Sequence, residues 1–191
     1  MKKGLFTPAL LTLALTLGGC SAINEMNTPP STGENYGTRT VGMKVEDESI
    51  ESKIESTMQR TDARLGDARI GINSYNGVVL LFGQVPSQEL RDKAGEIAQN
   101  IRRVRQVHNE LTVAANLPMG QRMTDTWLET RAQTELATNK SIDSSRIEVI
   151  SENSTVYLMG IVTRQEAQQI VSVVSQIGGI QRIVKVFEYL D

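Results

Sequence analysis

From about residue 45 to the end of the chain, two rhythms of apolar residues alternate. Ile50, Ile54 and Met58 recur every four residues, the spacing of one helical face, behind an acidic stretch of Glu46, Asp47 and Glu48 that suits a helix N-terminus. Ile70 and Ile72 then alternate with polar or small residues, Asn76-Gly77 marks a tight type I′ turn, and an apolar run at 78–82 returns, which predicts a β-hairpin. Gly83, and Gly160 in the copy described next, are expected to end the returning strands. A second helix follows, with Leu90, Ala94, Ile97 and Ile101 inward, and then a last strand near 107–113.

The same order of parts then repeats. The segment "RIGINSYNGVVLLFGQVPSQE" at 69–89 lies over "RIEVISENSTVYLMGIVTRQE" at 146–166 at a shift of 77, with ten of the 21 positions identical. The chain therefore carries an internal duplication. In the second copy Leu128, Ala132 and Leu136 form the first helical stripe, and Asn153-Ser154 takes the turn, where Ser suits positive φ less well than Gly. Thr163-x-x-Glu166 reads as a capping box opening a helix with Ala167, Val171 and Val174 inward, and the last strand falls at 183–189. Two helices on one face of a three-stranded sheet give every apolar stripe a surface to meet, so an α+β class is expected. The copies are bounded at 45–114 and 123–191, with a linker at 115–122.

The front of the chain has a different character. Lys2 and Lys3 precede an apolar run from Leu5 to Leu17 that is too short to cross a bilayer and is placed as a secretory signal would be. Leu17, Gly18 and Gly19 lead to Cys20, the single cysteine. This resembles a bacterial lipobox, which implies a signal peptide over 1–19 and a mature chain beginning at Cys20 with covalent diacylglycerol and an N-acyl lipid. Multiple acyl chains would hold it at a membrane essentially permanently. Ser21, where lipoproteins retained on an inner membrane carry Asp, implies the periplasmic face of an outer membrane. Residues 20–44 are rich in Ser, Thr, Asn, Pro and Gly and read as a flexible linker.

Charge and composition narrow the chemistry. A formal net charge of −2 argues against nucleic acid as a partner, since phosphate recognition needs a clustered positive surface. With His108 the only histidine and Cys20 claimed by the anchor, no Cys–His pair or multi-histidine metal site can form. Neither a nucleophile elbow nor a phosphate-binding glycine loop appears. No catalytic residue, metal, cofactor or small-molecule substrate is expected, and the chain reads as a non-enzyme.

Both copies carry Val-x-Leu-x-Gly-x-Val at the end of the hairpin, as Val79, Leu81, Gly83, Val85 and as Val156, Leu158, Gly160, Val162. Followed by a helix and a strand, this unit resembles a BON domain. Two such units behind a lipobox resemble the dual BON-domain outer-membrane lipoproteins. The resemblance covers nearly all of the mature chain. It implies tandem αββαβ domains, each with a three-stranded mixed sheet and two helices on one face. It also implies binding of anionic phospholipid through the first helix of the second domain, enrichment at division sites and support of outer-membrane integrity.

Positions apolar in only one copy are candidates for function. Trp127 falls against Ser49 and lies about 100° round the helix from Leu128, off the inward stripe. Either it inserts at lipid headgroup level or it seals the interface between domains, and the resemblance favours lipid. Leu128, Met119 and Met123 are expected to extend the same patch, with Arg122 and Arg131 meeting phosphates. Asp125 and Glu129 on that turn argue that aromatic insertion outweighs charge. Arg102, Arg103 and Arg105 complement the dipole at the end of the first domain's second helix, or bind an anion or an acidic partner. The alternative function is a periplasmic adaptor or chaperone-like partner of outer-membrane assembly proteins. It would use the apolar sheet faces of Val78, Leu80 and Phe82 and of Tyr157 and Met159, which could dock a partner or each other.

Overall fold

The structure is a computed structural model that describes residues 37–191. Cys20, the signal peptide and most of the 20–44 linker lie outside the described residues. The first domain begins with α1 (Val41–Thr61), capped by Thr40, whose hydroxyl accepts from the Met43 amide at 3.2 Å. The helix thus starts ahead of residue 45, and Glu46, Asp47 and Glu48 sit in its second turn rather than at its N-terminus. Asp62 ends α1 and caps a short helix, α2 (Ala63–Asp67), that the apolar periodicity does not reveal. The hairpin of β1 (Arg69–Tyr75) and β2 (Val78–Val85) follows, then α3 (Gln88–Gln99), β3 (Gln106–Asn109) and β4 (Thr112–Val113).

The second domain comprises α4 (Met119–Thr138), a 3-10 turn at Ser144–Arg146, β5 (Ile147–Glu152), β6 (Thr155–Val162), α5 (Arg164–Val174) and β7 (Arg182–Tyr189). Because α4 begins at Met119, the connection between domains is shorter than 115–122. The expected capping box of Thr163 and Glu166 is present at α5. Neither glycine ends its strand: β2 runs through Gly83 and β6 through Gly160. In each sheet the second hairpin strand is central. It pairs antiparallel with the first strand and parallel with the last. The last strand of domain 1 is broken into β3 and β4, both parallel to β2, whereas β7 is continuous.

Each sheet buries one face under its own helices. Val79, Leu81 and Val85 meet Ile50, Ile54, Leu90 and Ala94 in domain 1. Val156, Leu158 and Val162 meet Leu128, Ala132, Ala167 and Ile170 in domain 2. Side chains alternate across a strand, so the intervening residues point to the opposite face. Those faces pack against each other: Tyr75, Val78, Leu80 and Phe82 join Ile150, Tyr157, Met159 and Ile161 in a third cluster. Phe82 and Tyr157 have ring centroids 6.4 Å apart, and Gly71 leaves room for the Phe82 ring where a Cβ would lie 2.2 Å from it. The two domains are therefore layered α/β/β/α. The sheet faces expected to dock a partner or each other do the latter, which leaves the adaptor reading without its surface.

Polar contacts rim this seam. Glu152, 5% exposed, accepts from the Gln84 amide at 2.6 Å and pairs with Arg69. The Tyr75 hydroxyl donates to the Arg146 carbonyl at 2.6 Å. Arg39, just before α1, bonds Asp47 at 3.0 Å and Glu148 of domain 2 at 3.1 Å while its guanidinium lies 3.7 Å from the centroid of the Tyr75 ring.

Candidate functional site

Helix α4 has two unlike sides. Leu128, Ala132 and Leu136 are buried against the sheet. Met119, Met123 and Trp127, spaced by four, stand on the outer side and are 63%, 67% and 56% exposed. At 100° per residue, the outer arc also holds Thr126, Thr130 and Thr134, and it contains no charged side chain. The threonine hydroxyls turn inward on the helix: Thr126, Thr130 and Thr134 donate to the carbonyls of Arg122, Thr126 and Thr130 at 3.0, 2.9 and 2.8 Å. Their donors are thereby spent on the backbone, which leaves the methyl groups to the surroundings.

Trp127 takes no part in the seam between the sheets, so it does not seal the domain interface. It borders a groove of about 550 Å³ between α4 and the end of α5, lined also by Arg131, Glu135, Val173 and Ile177. Arg131 pairs with Glu135 at 2.7 Å. Arg122 is half-buried, reaching the Met119 sulfur at 3.4 Å, with its Nε lacking a hydrogen-bond partner. Leu128 does not belong with these residues. At 0% exposure it is a core residue, and lipid at the outer face could not touch it.

Asp125 and Glu129 also face inward. Asp125, 3% exposed, accepts from the Asn153 and Ser154 amides at 2.9 and 2.8 Å, and Glu129 from the Ser151 amide at 3.2 Å. They hold the second hairpin turn, where Ser154 has a φ of 58° that a non-glycine residue adopts only at some cost. Burial, with like charge from Glu148, pushes the Glu129 carboxyl above its ordinary range against the lowering effect of the Ser151 amide. Neither carboxylate therefore places charge on the Trp127 face, contrary to the expectation that they oppose electrostatic binding there.

Domain 1 contains the same device. Asp47 accepts from the Asn76 and Gly77 amides, each at 2.9 Å, and from the Ser74 hydroxyl at 2.8 Å, while Glu51 accepts from the Ser74 amide at 2.7 Å. The sequence signal for this pair is Asp-x-x-Ile/Leu-Glu, at 47–51 and 125–129, displaced by 78 rather than 77. Acidic residues near a helix start also suit the helix dipole, which masks this role in the sequence.

The basic run of domain 1 is largely engaged within the molecule. Arg105 reaches across the seam to Glu188, with one of its two contacts at 3.0 Å, and also bonds the Asn76 carbonyl at 2.7 Å. Arg103, in a left-handed conformation with φ of 74°, pairs with Glu46. Arg102 is exposed. The run therefore fastens α1 and domain 2 rather than forming one open anion patch. Among the described residues no group of three or more His, Cys, Asp or Glu could hold a metal ion, and no helix is long and apolar enough to cross a membrane.

The family match fits this two-domain architecture. The BON domain family matches residues 46–115 and 124–191. The outer membrane lipoprotein DolP of Haemophilus influenzae is 34% identical over 94% of this chain and 89% of its own length. A 21 kDa hemolysin of Actinobacillus pleuropneumoniae is 28% identical over 80% of this chain and 79% of its own. Among solved structures, the C-terminal domain of CdsD, a structural protein of the type III secretion system of Chlamydia trachomatis, matches with 12% identity and a TM-score of 0.32, covering 73% of this chain and 96% of that one. With both copies of the repeat matched and a curated relative aligned along almost the whole sequence, this chain belongs to the BON-domain family as a two-domain protein of the DolP type.

Proposed function

We propose that the protein is a non-catalytic lipoprotein of the outer membrane, tethered through lipid on Cys20 at the periplasmic face, whose second domain binds anionic phospholipid through α4. In this role it supports outer-membrane integrity, at division sites among others. The observation that carries the reading is the outer face of α4: two methionines and a tryptophan exposed in one stripe, on an arc free of charge, beside a groove edged by Arg131. An indole suits the headgroup region because its rings leave water while its N–H stays solvated. Arg122 and Arg131 flank the stripe and provide positive charge for lipid phosphates. The name of the Haemophilus relative supports the lipoprotein anchor and the outer-membrane location. Tether and helix would act together, since a lipid already in the leaflet raises the local concentration of α4 at its surface.

The test is sedimentation of the Cys20→Ser mature chain with phosphatidylglycerol-containing vesicles. Trp127→Ala is expected to weaken binding by about tenfold or more, the loss corresponding to about 1.5–3 kcal/mol for a large buried apolar side chain. Equal binding by parent and variant would end the proposal.

A further inference from the structure

Helix α5 carries a second groove on its side toward β7, whereas the groove beside Trp127 lies toward α4. It measures about 400 Å³, with Ala167 and Val171 as an aliphatic wall and Arg164, Lys185 and Tyr189 around them. Arg164 stacks over Tyr189 at 4.7 Å from the ring centroid, and Phe187 meets the same ring edge-on at 6.4 Å. This stacking holds the guanidinium in place before any ligand arrives. No carboxylate lines the groove. Asp191 is engaged at the start of α5, accepting from the Arg164 backbone amide at 2.9 Å. Neither Arg164 nor Lys185 makes an ion pair among the described residues.

The duplication supplies an internal control. Asn109 pairs with Leu81 as Lys185 pairs with Leu158, and the shift of 77 sets Arg91 against Gln168. In domain 1 these residues close the gap between helix and strand. Arg91 donates to the Leu111 and Asn109 carbonyls at 2.7 and 3.0 Å, and the Asn109 amide returns a bond to the Arg91 carbonyl at 2.8 Å. Gly95 packs so closely that a Cβ there would lie 2.7 Å from Asn109 Nδ2. Domain 2 keeps the backbone frame, drops the closing side chains and puts cations and an aromatic ring in their place.

We propose that this groove is a second site for the phosphate of an anionic phospholipid headgroup. The Arg164 fork can bind phosphate oxygens in pairs, Lys185 adds a point charge opposite, and Ala167 and Val171 accept the glycerol and first methylenes. The assignment of a membrane lipid rests on the reading that the helical layer of domain 2 faces the leaflet. The groove belongs to that same layer, so α4 and the α5–β7 edge would engage one surface together.

The experiment titrates the Cys20→Ser mature chain with vesicles of phosphatidylcholine containing one-third phosphatidylglycerol. Arg164→Gln with Lys185→Gln is expected to raise the dissociation constant by ~25-fold, about fivefold for each basic residue at an anionic surface. Lys53→Gln, on the outer face of α1, should change it less than twofold. At saturating lipid the double variant should still show the blue-shifted emission of an inserted Trp127. A double variant that binds like the parent, or a Lys53→Gln effect of equal size, would overturn the site. Loss of binding in Trp127→Ala with no change in the double variant would leave the α4 reading intact and remove this one, and the reverse pattern would do the opposite. Amide resonances of 164–172 and 185–189 should shift with short-chain phosphatidylglycerol and not with equimolar inorganic phosphate. Equal shifts with phosphate would make this a free-anion site and overturn the lipid assignment.

Discussion

Helices α1 and α4 are copies of one element that have kept their inner sides and exchanged their outer ones. Inside, Asp47 and Glu51 hold one hairpin turn as Asp125 and Glu129 hold the other, and Ile50 and Leu128 fill equivalent core positions. Outside, at the displacement of 78, Val41, Val45 and Ser49 face Met119, Met123 and Trp127. Glu48 and Glu55 on α1 stand where α4 has Thr126 and Gln133. Both helices thus expose apolar residues near their starts, but only α4 continues the stripe into an aromatic without charge beside it. The comparison separates what the fold requires from what a surface was given: the carboxylates are needed wherever the hairpin is, and the tryptophan is needed by neither core.

The comparison breaks most readily by moving the indole. A Ser49→Trp, Trp127→Ala double variant should stay at least about tenfold weaker than the parent in vesicle binding, because Glu48 and Glu55 would accompany the transplanted ring to the leaflet. Recovery of parental affinity would show that any exposed Trp suffices and that α4 is not special. The shared inner side is tested by Asp47→Ala and Asp125→Ala in urea unfolding. Each should destabilise by about 2–4 kcal/mol, since buried amides lose a charged acceptor. Asp47 should lie at the higher end because it also takes the Ser74 hydroxyl and Arg39. Equal and small losses would refute the role of these carboxylates.

The smallest effect concerns the basic run. Arg105 holds the Glu188 carboxyl below its ordinary value of 4.5. A depressed carboxyl contributes stability that is fully present above that value and lost as pH falls through the folded one. Glu188→Gln should therefore reduce stability near pH 7 by no more than about 1 kcal/mol, as expected for a partly exposed pair, and flatten the fall below pH 4.5. An unchanged acid limb in the variant would return Arg105 to the role of a free surface cation.

Much of the fold could be read from periodicity because the duplication presents each pattern twice. Both hairpins, the core stripes of α1 and α4 and the capping box at Thr163 are legible in this way, whereas on α3 and α5 the buried residues include Ala98 and Ile170, and Ile97, Ile101 and Val171 are only partly buried. The helix starts are not: no residue of 41–44 or 119–122 is buried, so these turns carry no inward stripe, and only the backbone reveals that they are helical. The break between β3 and β4 falls at Glu110 and Leu111 in an alternation that reads as unbroken. In the candidate site, Trp127 was visible as an apolar residue with a polar counterpart. Leu128 belongs to the core by its position in the inward stripe, and the expectation that it joins the Trp127 patch overlooks that position. The groove at Lys185 was hidden because its meaning depends on Arg91 and Asn109, which close the matching gap some 76 to 77 residues earlier.

The sheet-to-sheet packing also sets a standoff. Layers in such a stack are spaced by about 10 Å, so the axes of the two outermost helical layers lie about 30 Å apart. With α4 lying on lipid, α1 and α3 would be carried that far into the aqueous space, oriented away from the bilayer. The seam fixes this distance by burying Leu80 and Met159 completely. A membrane-bound copy would then present its first domain at constant height and attitude, as a rigid pedestal and not as a bead swinging on a string.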